Sequence, residues 1–184
     1  MYLSDSIGAG LVFGGALFRG DDSAAGRFGH MSIDHQGRPC PCGRLGCVER
    51  YASTAAVVAA ARADPVMRAG LSLDGGTAAA YDAVARAAIN GDPDAFALLD
   101  RAAARLGAAV TSMVNLLGLG RLVLTGPGVA LAGSIYARRV RACLDRPEVS
   151  VEISAQPRDA AGIGAAALVI QASVAPGHTP GRVS

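Results

Sequence analysis

Three of the four cysteines in this chain and two of its three histidines lie in one short stretch, residues 30–49. Cys40, Cys42 and Cys47 fall within eight residues of one another. Because Gly43 and Gly46 lie between Cys42 and Cys47, the chain can fold back and bring three sulfurs together without closing a long loop. His30 supplies a fourth ligand if a strand and a turn connect it to the cysteines. One histidine and three cysteines form a closed tetrahedral set, which is typical of structural zinc and leaves no open position for a catalytic water.

His35 is an alternative fourth ligand, because it is only five residues from Cys40. The segment 34–37, Asp-His-Gln-Gly, predicts a turn, and a histidine at the tip of a turn is most often solvated. His30 is therefore the preferred ligand.

The cysteine spacing and the hydropathy both bear on where such a protein works. Clustered cysteines do not resemble the spread-out framework of a secreted disulfide protein. Residues 1–6 contain neither basic residues nor an apolar core, so they predict no signal peptide. Although 51% of the residues are hydrophobic, no run of about 18 apolar residues lacks charge, which argues against a membrane span. We expect a soluble, cytoplasmic protein without membrane contact.

The charge balance gives no indication of nucleic-acid binding. The formal net charge is +2, and the arginines are scattered among aspartates and glutamates. A basic patch or stripe is the usual footprint of a nucleic-acid interface. We expect no direct nucleic-acid binding by this chain alone.

The rest of the chain predicts a single α/β domain with a mixed sheet, residues 1–174, followed by a disordered tail, residues 175–184. Gly14-Gly15 between two apolar runs indicates a hairpin. Apolar spacing and capping residues predict the remaining elements. The predicted strands are 26–33, 121–125 and 149–154, and the predicted helices are 48–62, 77–89, 93–117, 132–144 and 161–173, with a break over 63–76.

Two glycine-rich segments are candidate ligand loops. Ile7-Gly8-Ala9-Gly10 could cradle a phosphate, but glycines before a strand more often only permit close backbone approach. Residues 121–144 read as strand, glycine loop and helix, an arrangement that places a ligand at a helix N-terminus. Many connections in α/β domains have the same pattern, so both interpretations stay open.

These motifs together resemble the C-terminal half of the ROK family, a group of bacterial repressors and sugar kinases. The resemblance covers residues 3–173. Its most specific part is Gly29-His30 followed by residues 40–49, Cys-Pro-Cys-Gly-Arg-Leu-Gly-Cys-Val-Glu, which is similar to the family's zinc-binding signature. The resemblance implies the C-terminal lobe of an actin-like, ribonuclease-H-like ATPase fold, with a structural zinc loop inserted at residues 30–47.

The resemblance also implies degenerate nucleotide loops. Gly8 and Gly10 are similar to the glycine turn of the family's second phosphate loop. Gly126 and Gly128 are similar to the loop that lies near adenosine in the kinases. The kinases have Gly-Thr-Gly where this chain has Ser4-Asp5-Ser6, and an aspartate there repels phosphate at a cost on the order of 1 kcal/mol.

Half of a sugar pocket is implied in the same way. His30 and Glu49 match sugar-contacting residues of the family, and His30 can hold zinc through one nitrogen while offering the other to a ligand. Glu49 is equally explained as a carboxylate at a helix N-terminus. Arg27 replaces a sugar-contacting glutamate, so an acceptor of hydrogen bonds becomes a donor.

The combination predicts a protein without catalytic residues of its own. In the family, the first phosphate loop, the catalytic aspartate and the repressors' winged helix-turn-helix lie in the half that this sequence does not match. Our leading hypothesis is the effector-sensing and oligomerisation portion of a ROK-type transcriptional regulator, binding a sugar or sugar derivative and forming a homo-oligomer. The alternatives are a fragment or degenerate member of a ROK sugar kinase, and a structural zinc module that associates with itself.

Overall fold

The computed structural model describes residues 1–21 and 24–174, which form an α/β arrangement of six short strands and seven helices. The strands are β1 Tyr2–Leu3, β2 Ile7–Gly8, β3 Leu11–Phe13, β4 Ala16–Phe18, β5 Arg121–Leu124 and β6 Ser150–Ile153. The helices are α1 Glu49–Ala52, α2 Thr54–Ala63, α3 Pro65–Gly70, α4 Thr77–Ile89, α5 Pro93–Leu117, α6 Gly133–Leu144 and α7 Ala160–Val174. The predicted disordered tail lies outside the described residues.

Helix α5 is the centre of the core, and its bounds match the prediction. The Asp92 side chain caps its first turn by accepting hydrogen bonds from two backbone amides, and Gly118 ends it in the left-handed conformation, with φ 64°. One face of the helix is buried and packs against α4 and α6. Each fully buried valine or leucine contributes about 1.5–3 kcal/mol of hydrophobic stabilisation. Among the fully buried side chains of this face are Leu99, Leu106, Val110 and Val114.

Three strand pairs form the β-structure. β1 pairs antiparallel with β2, β3 with β4, and β5 runs parallel to β6 with α6 between them. A parallel bridge between Tyr2 and Thr125 sets β1 beside β5. Parallel and antiparallel pairs are therefore combined, as predicted for a mixed sheet.

The strand predicted over residues 26–33 is wrong. The structure has a 3-10 turn, Phe28–His30, and an isolated bridge from Ser32 to Cys47. Gly26 has φ 90°, and its carbonyl accepts a hydrogen bond from the Phe28 amide. Such a tight bend is incompatible with an extended strand, so the apolar alternation was misleading here.

Two helix boundaries also differ from the prediction. The helix predicted over 48–62 is broken at Ser53, which is extended (ψ 158°) and caps α2 by accepting a hydrogen bond from the Ala56 amide. The predicted break over 63–76 contains α3. Asp64 caps this helix, and Pro65 occupies its first turn, where a missing N–H costs nothing. Local caps outweighed the hydrophobic pattern at both places.

An ion pair joins α5 to α6 at the surface. The Arg139 guanidinium hydrogen-bonds to the Asp100 carboxylate and lowers its pKa. None of the helices in the described part of the chain is both long and apolar enough to cross a bilayer.

Candidate metal centre

The chain from His30 to Cys47 folds as a compact loop held by backbone hydrogen bonds. A bridge between Pro39 and Leu45 closes the cysteine turn. The Cys40 amide donates to the Arg44 carbonyl at 2.9 Å, and the Gly43 amide donates to the Cys40 carbonyl at 2.9 Å. His30 ends the 3-10 turn on the other side. These backbone hydrogen bonds set the turn that brings the cysteines toward His30.

This folding gathers the four predicted ligands. The ligand atoms of His30, Cys40, Cys42 and Cys47 all lie within 4.8 Å of one another. His30 Nδ1 is 3.6 Å from Cys40 Sγ, and Cys42 Sγ is 3.6 Å from Cys47 Sγ. Bonds of about 2.0–2.3 Å to a central tetrahedral ion separate its ligands by about 3.4–3.8 Å. The donor types and spacings suit a tetrahedral metal ion.

The thiols of Cys42 and Cys47 differ strongly in acidity. Hydrogen bonding from Arg44, first through its backbone and also through its side chain, lowers the pKa of Cys42 to about 6. Burial, together with the neighbouring thiols, raises the pKa of Cys47 to about 12. A metal ion would supply the charge that lets the buried thiol bind as thiolate.

His35 is exposed and is not part of the cluster. The His35 alternative is thus set aside by geometry. With Nδ1 of His30 facing Cys40, Nε2 is the ring nitrogen left for a second partner.

Glu49 links the loop over residues 30–47 to the strands. Its Oε2 accepts a hydrogen bond from the Ile7 amide at 3.0 Å, and it lies in the first turn of α1. A Cβ added at Gly29 would lie 2.8 Å from the same oxygen, so the glycine leaves room for the carboxylate. This contact spans 42 residues, and nothing in the local sequence predicts it.

The four glycines of the predicted nucleotide loops divide into two pairs. Side chains at Gly126 and Gly128 would collide with Leu3, and Gly126 also has φ 97°. Gly8 and Gly10 have no atom closer than 3.9 Å to an added Cβ. Close backbone approach therefore explains the first pair, and the structure gives no such packing reason for the second.

A cavity of about 190 Å³ lies where the β1–β2 turn meets α2, α4 and the loop after β5. Asp5 accepts a hydrogen bond from the Thr54 hydroxyl at 2.5 Å on one side of it. Arg158 is paired with Asp82 at 2.8 Å on the other side. The cavity is thus lined by two carboxylates, those of Asp5 and Asp82, and by one guanidinium, that of Arg158. Sequence reasoning identified Asp5 but not Thr54, Asp82 or Arg158. These residues form contacts across 49 and 76 residues of the chain, which local sequence patterns do not reveal.

The model for the ROK family matches residues 1–172. This chain belongs to the ROK family. The ROK resemblance is thereby confirmed, and ROK structural relatives imply an actin-like, ribonuclease-H-like fold of mixed α/β type.

Both branches of the family are among its relatives. An N-acetylmannosamine kinase from Vibrio cholerae is 31% identical over 147 residues, covering 80% of this chain and 47% of the kinase. A ROK glucokinase from Streptomyces griseus, solved with glucose and AMPPNP, superposes with a TM-score of 0.76 at 26% identity, covering 91% of this chain and 58% of the other. A ROK transcriptional regulator homologous to the Escherichia coli MLC protein superposes with a TM-score of 0.71 at 27% identity, covering 83% and 40%. The chain spans about half the length of the relatives it matches.

Proposed function

We propose that this ROK chain is the effector-sensing and oligomerisation portion of a transcriptional regulator and that it catalyses no reaction itself. The observation that carries this proposal is the placement of Asp5. Its carboxylate lines the cavity beside β1 and is held there by the Thr54 hydroxyl. A fixed negative charge at this point disfavours the phosphates of a nucleotide. A regulator needs the fold and the effector pocket but has no need to transfer a phosphoryl group.

The metal centre in this proposal is structural zinc. The ligands would be Nδ1 of His30 and the thiolates of Cys40, Cys42 and Cys47, a set that fills a tetrahedral ion completely. Bound there, zinc would hold the loop together and contribute to folding. No position is left on it for water or substrate.

The effector in this proposal is a sugar or sugar derivative bound beside the metal loop. His30 would offer Nε2 to a hydroxyl, and one oxygen of Glu49 would accept from another while Oε2 keeps the Ile7 amide. Because Arg27 stands where the family has a glutamate, the pocket has one hydrogen-bond acceptor fewer. With Nδ1 bound to zinc, the other ring nitrogen would carry a hydrogen and donate it to the effector, as metal-bound histidines do toward their second partner.

Self-association is supported by apolar surface on the hairpin and on α7. Phe18 of the hairpin is 51% exposed, and Val169 and Ile170 of α7 are 67% and 62% exposed. Large exposed apolar patches are typical of interaction surfaces. We expect light scattering to give the mass of a dimer or a larger assembly, and a monodisperse monomer would contradict this part of the proposal.

The second candidate is a portion of a ROK sugar kinase. It is favoured by the 31% identity to the Vibrio cholerae kinase and by the TM-score of 0.76 to the Streptomyces griseus glucokinase, against 0.71 to the solved regulator. The two candidate functions differ in whether the protein binds ATP and transfers its phosphoryl group.

Titration calorimetry with ATP, paired with an assay of glucose- or N-acetylmannosamine-dependent ADP release, separates the two candidates. We expect no turnover by the chain, alone or mixed with a supplied N-terminal ROK lobe. Replacing Asp5 by Thr should tighten ATP binding by about fivefold to tenfold, because it removes a repulsion on the order of 1 kcal/mol.

The matched control is Asp74→Thr, which removes the same charge at an exposed position away from the cavity. An equal gain in both variants would show that net charge alone is responsible. Sustained ADP release by the unmodified chain would overturn the regulator proposal in favour of the kinase.

A further inference from the structure

Cys42 has the most accessible sulfur of the three clustered cysteines. Cys40 and Cys47 are buried, with 7% and 0% of their surface exposed, whereas Cys42 is half-buried. Its neighbours Pro41 and Gly43 are both exposed. A small oxidant in the solvent therefore reaches the Cys42 sulfur before it reaches the other two.

A second sulfur lies directly beside that of Cys42. Cys47 Sγ is 3.6 Å away, and the sulfurs of a disulfide are about 2.05 Å apart. Cys40 Sγ instead faces Nδ1 of His30, also at 3.6 Å. Only Pro41 separates Cys40 from Cys42, and its rigid ring limits how the chain could close a bridge there. Cys47 is thus the better placed partner of Cys42.

The backbone is loose at one sulfur of this pair and fixed at the other. In the described part of the chain the Cys42 amide and carbonyl make no backbone hydrogen bond, and a Cβ added at Gly43 would meet nothing within 4 Å. Gly46, next to Cys47, packs against the Asp34 carbonyl. Cys42 can therefore move the remaining distance of about 1.5 Å toward a stationary Cys47.

We infer that Cys42 and Cys47 are a peroxide-reactive pair whose oxidation to a disulfide releases the zinc ion. An accessible thiolate beside a second, resolving cysteine is the usual arrangement of a redox-sensing site. The inference rests on the zinc centre of the proposed function and extends it, from a site that only holds the loop together to one that responds to hydrogen peroxide.

The oxidation takes place in two steps. The Cys42 thiolate attacks one oxygen of hydrogen peroxide, the O–O bond breaks and hydroxide leaves, so that Cys42 becomes a sulfenic acid. The Cys47 thiolate then attacks that sulfur, the S–O bond breaks, a second hydroxide leaves and the disulfide forms. The two thiolates lose two electrons, the peroxide gains them, and the zinc ion keeps its charge.

The disulfide removes half of the zinc ligands. His30 and Cys40 alone remain, and two ligands do not complete the tetrahedral set of a structural zinc site. Zinc release and disulfide formation should therefore occur together, with two thiols lost for each ion released.

The test treats the full, zinc-loaded chain with hydrogen peroxide and follows released zinc with a metallochromic chelator. Peptide mapping without reduction identifies the bridge. We expect a Cys42–Cys47 disulfide, two thiols lost for each zinc ion released, and recovery of both thiols and zinc after dithiothreitol and zinc are added. The zinc content is measured before the peroxide is added. A chain that holds no zinc at that point would contradict the proposed metal centre, whereas a chain that holds zinc and keeps it under peroxide would overturn only this inference.

Cys42→His is the variant for this test, because two histidines and two cysteines also make a complete zinc site. Without the accessible thiolate, this variant should release zinc at least about tenfold more slowly than the unmodified chain. Cys143→Ser, which changes the cysteine outside the cluster, should release zinc at the unmodified rate.

Equal release rates in Cys42→His and Cys143→Ser would overturn the inference. A bridge to Cys40 or Cys143 in the unmodified chain, or a sulfinic acid at Cys42 without any bridge, would also overturn it. If Cys42→His does not hold zinc, peptide mapping of the unmodified chain decides the question.

Discussion

Replacing Cys42 by Ser should abolish the metal centre and unfold the loop over residues 30–47. Elemental analysis of the unmodified chain should find about one zinc per chain, as for a closed four-ligand site, and the Cys42→Ser protein should retain almost none. The free energy of unfolding should fall by about 4 kcal/mol, the contribution of a ligand present at about a thousand times its Kd. Cys42 is chosen because its side chain is half-buried, so that little packing is lost with the sulfur.

Cys143→Ser is the control for this prediction. Cys143 is also half-buried but lies on α6, outside the cluster. The Cys143→Ser protein should keep its zinc and its free energy of unfolding. A Cys42→Ser protein that retains zinc, or unmodified protein that is metal-free and equally stable, would contradict the proposed structural site.

Replacing Gly46 by Ala should disrupt the same loop without touching a ligand. Gly46 has φ 68°, and a Cβ there would collide with the backbone carbonyl of Asp34. The collision cannot be relieved by a side-chain rotation, because the obstacle is backbone. We expect a loss of more than about 3 kcal/mol in the free energy of unfolding, combining the left-handed conformation with the clash, measured by urea denaturation.

Gly43→Ala is the control, because it measures the cost of the left-handed conformation without a steric clash. Gly43 has φ 86° and nothing within 4 Å of an added Cβ. It should lose only about 1–2 kcal/mol, the cost of a left-handed residue that has a side chain. Equal losses of unfolding free energy in the two variants would contradict the close packing of Gly46 against Asp34.

The elements that sequence reasoning placed correctly have strong local signals. Helix α5 has a capping aspartate, a proline in its first turn and a glycine after its end, and its bounds are as predicted. The hairpin is marked by Gly14 and Gly15, both with positive φ. In these segments the information that selects the structure lies within a few residues.

The elements that sequence reasoning missed depend on contacts with distant residues or on competing local signals. The segment 26–33 alternates like a strand, yet Gly26 packs against Ala9, where a Cβ would collide with the Ala9 carbonyl. The break at Ser53 sits beside Thr54, whose amide donates to the Ser4 carbonyl at 2.9 Å. Periodicity alone cannot anticipate such contacts, because they arise from the packing of other elements.

The sequence by itself determined the residues of the candidate metal-binding cluster and the family, because both depend on residue types at short, specific spacings. His30, Cys40, Cys42 and Cys47 could be chosen since a turn rich in glycine brings near neighbours together whatever the rest of the chain does. Only the tertiary structure decided what surrounds that loop. It set Glu49 on the Ile7 amide and Thr54 on Asp5, because such contacts form only when elements far apart in the chain pack into one core.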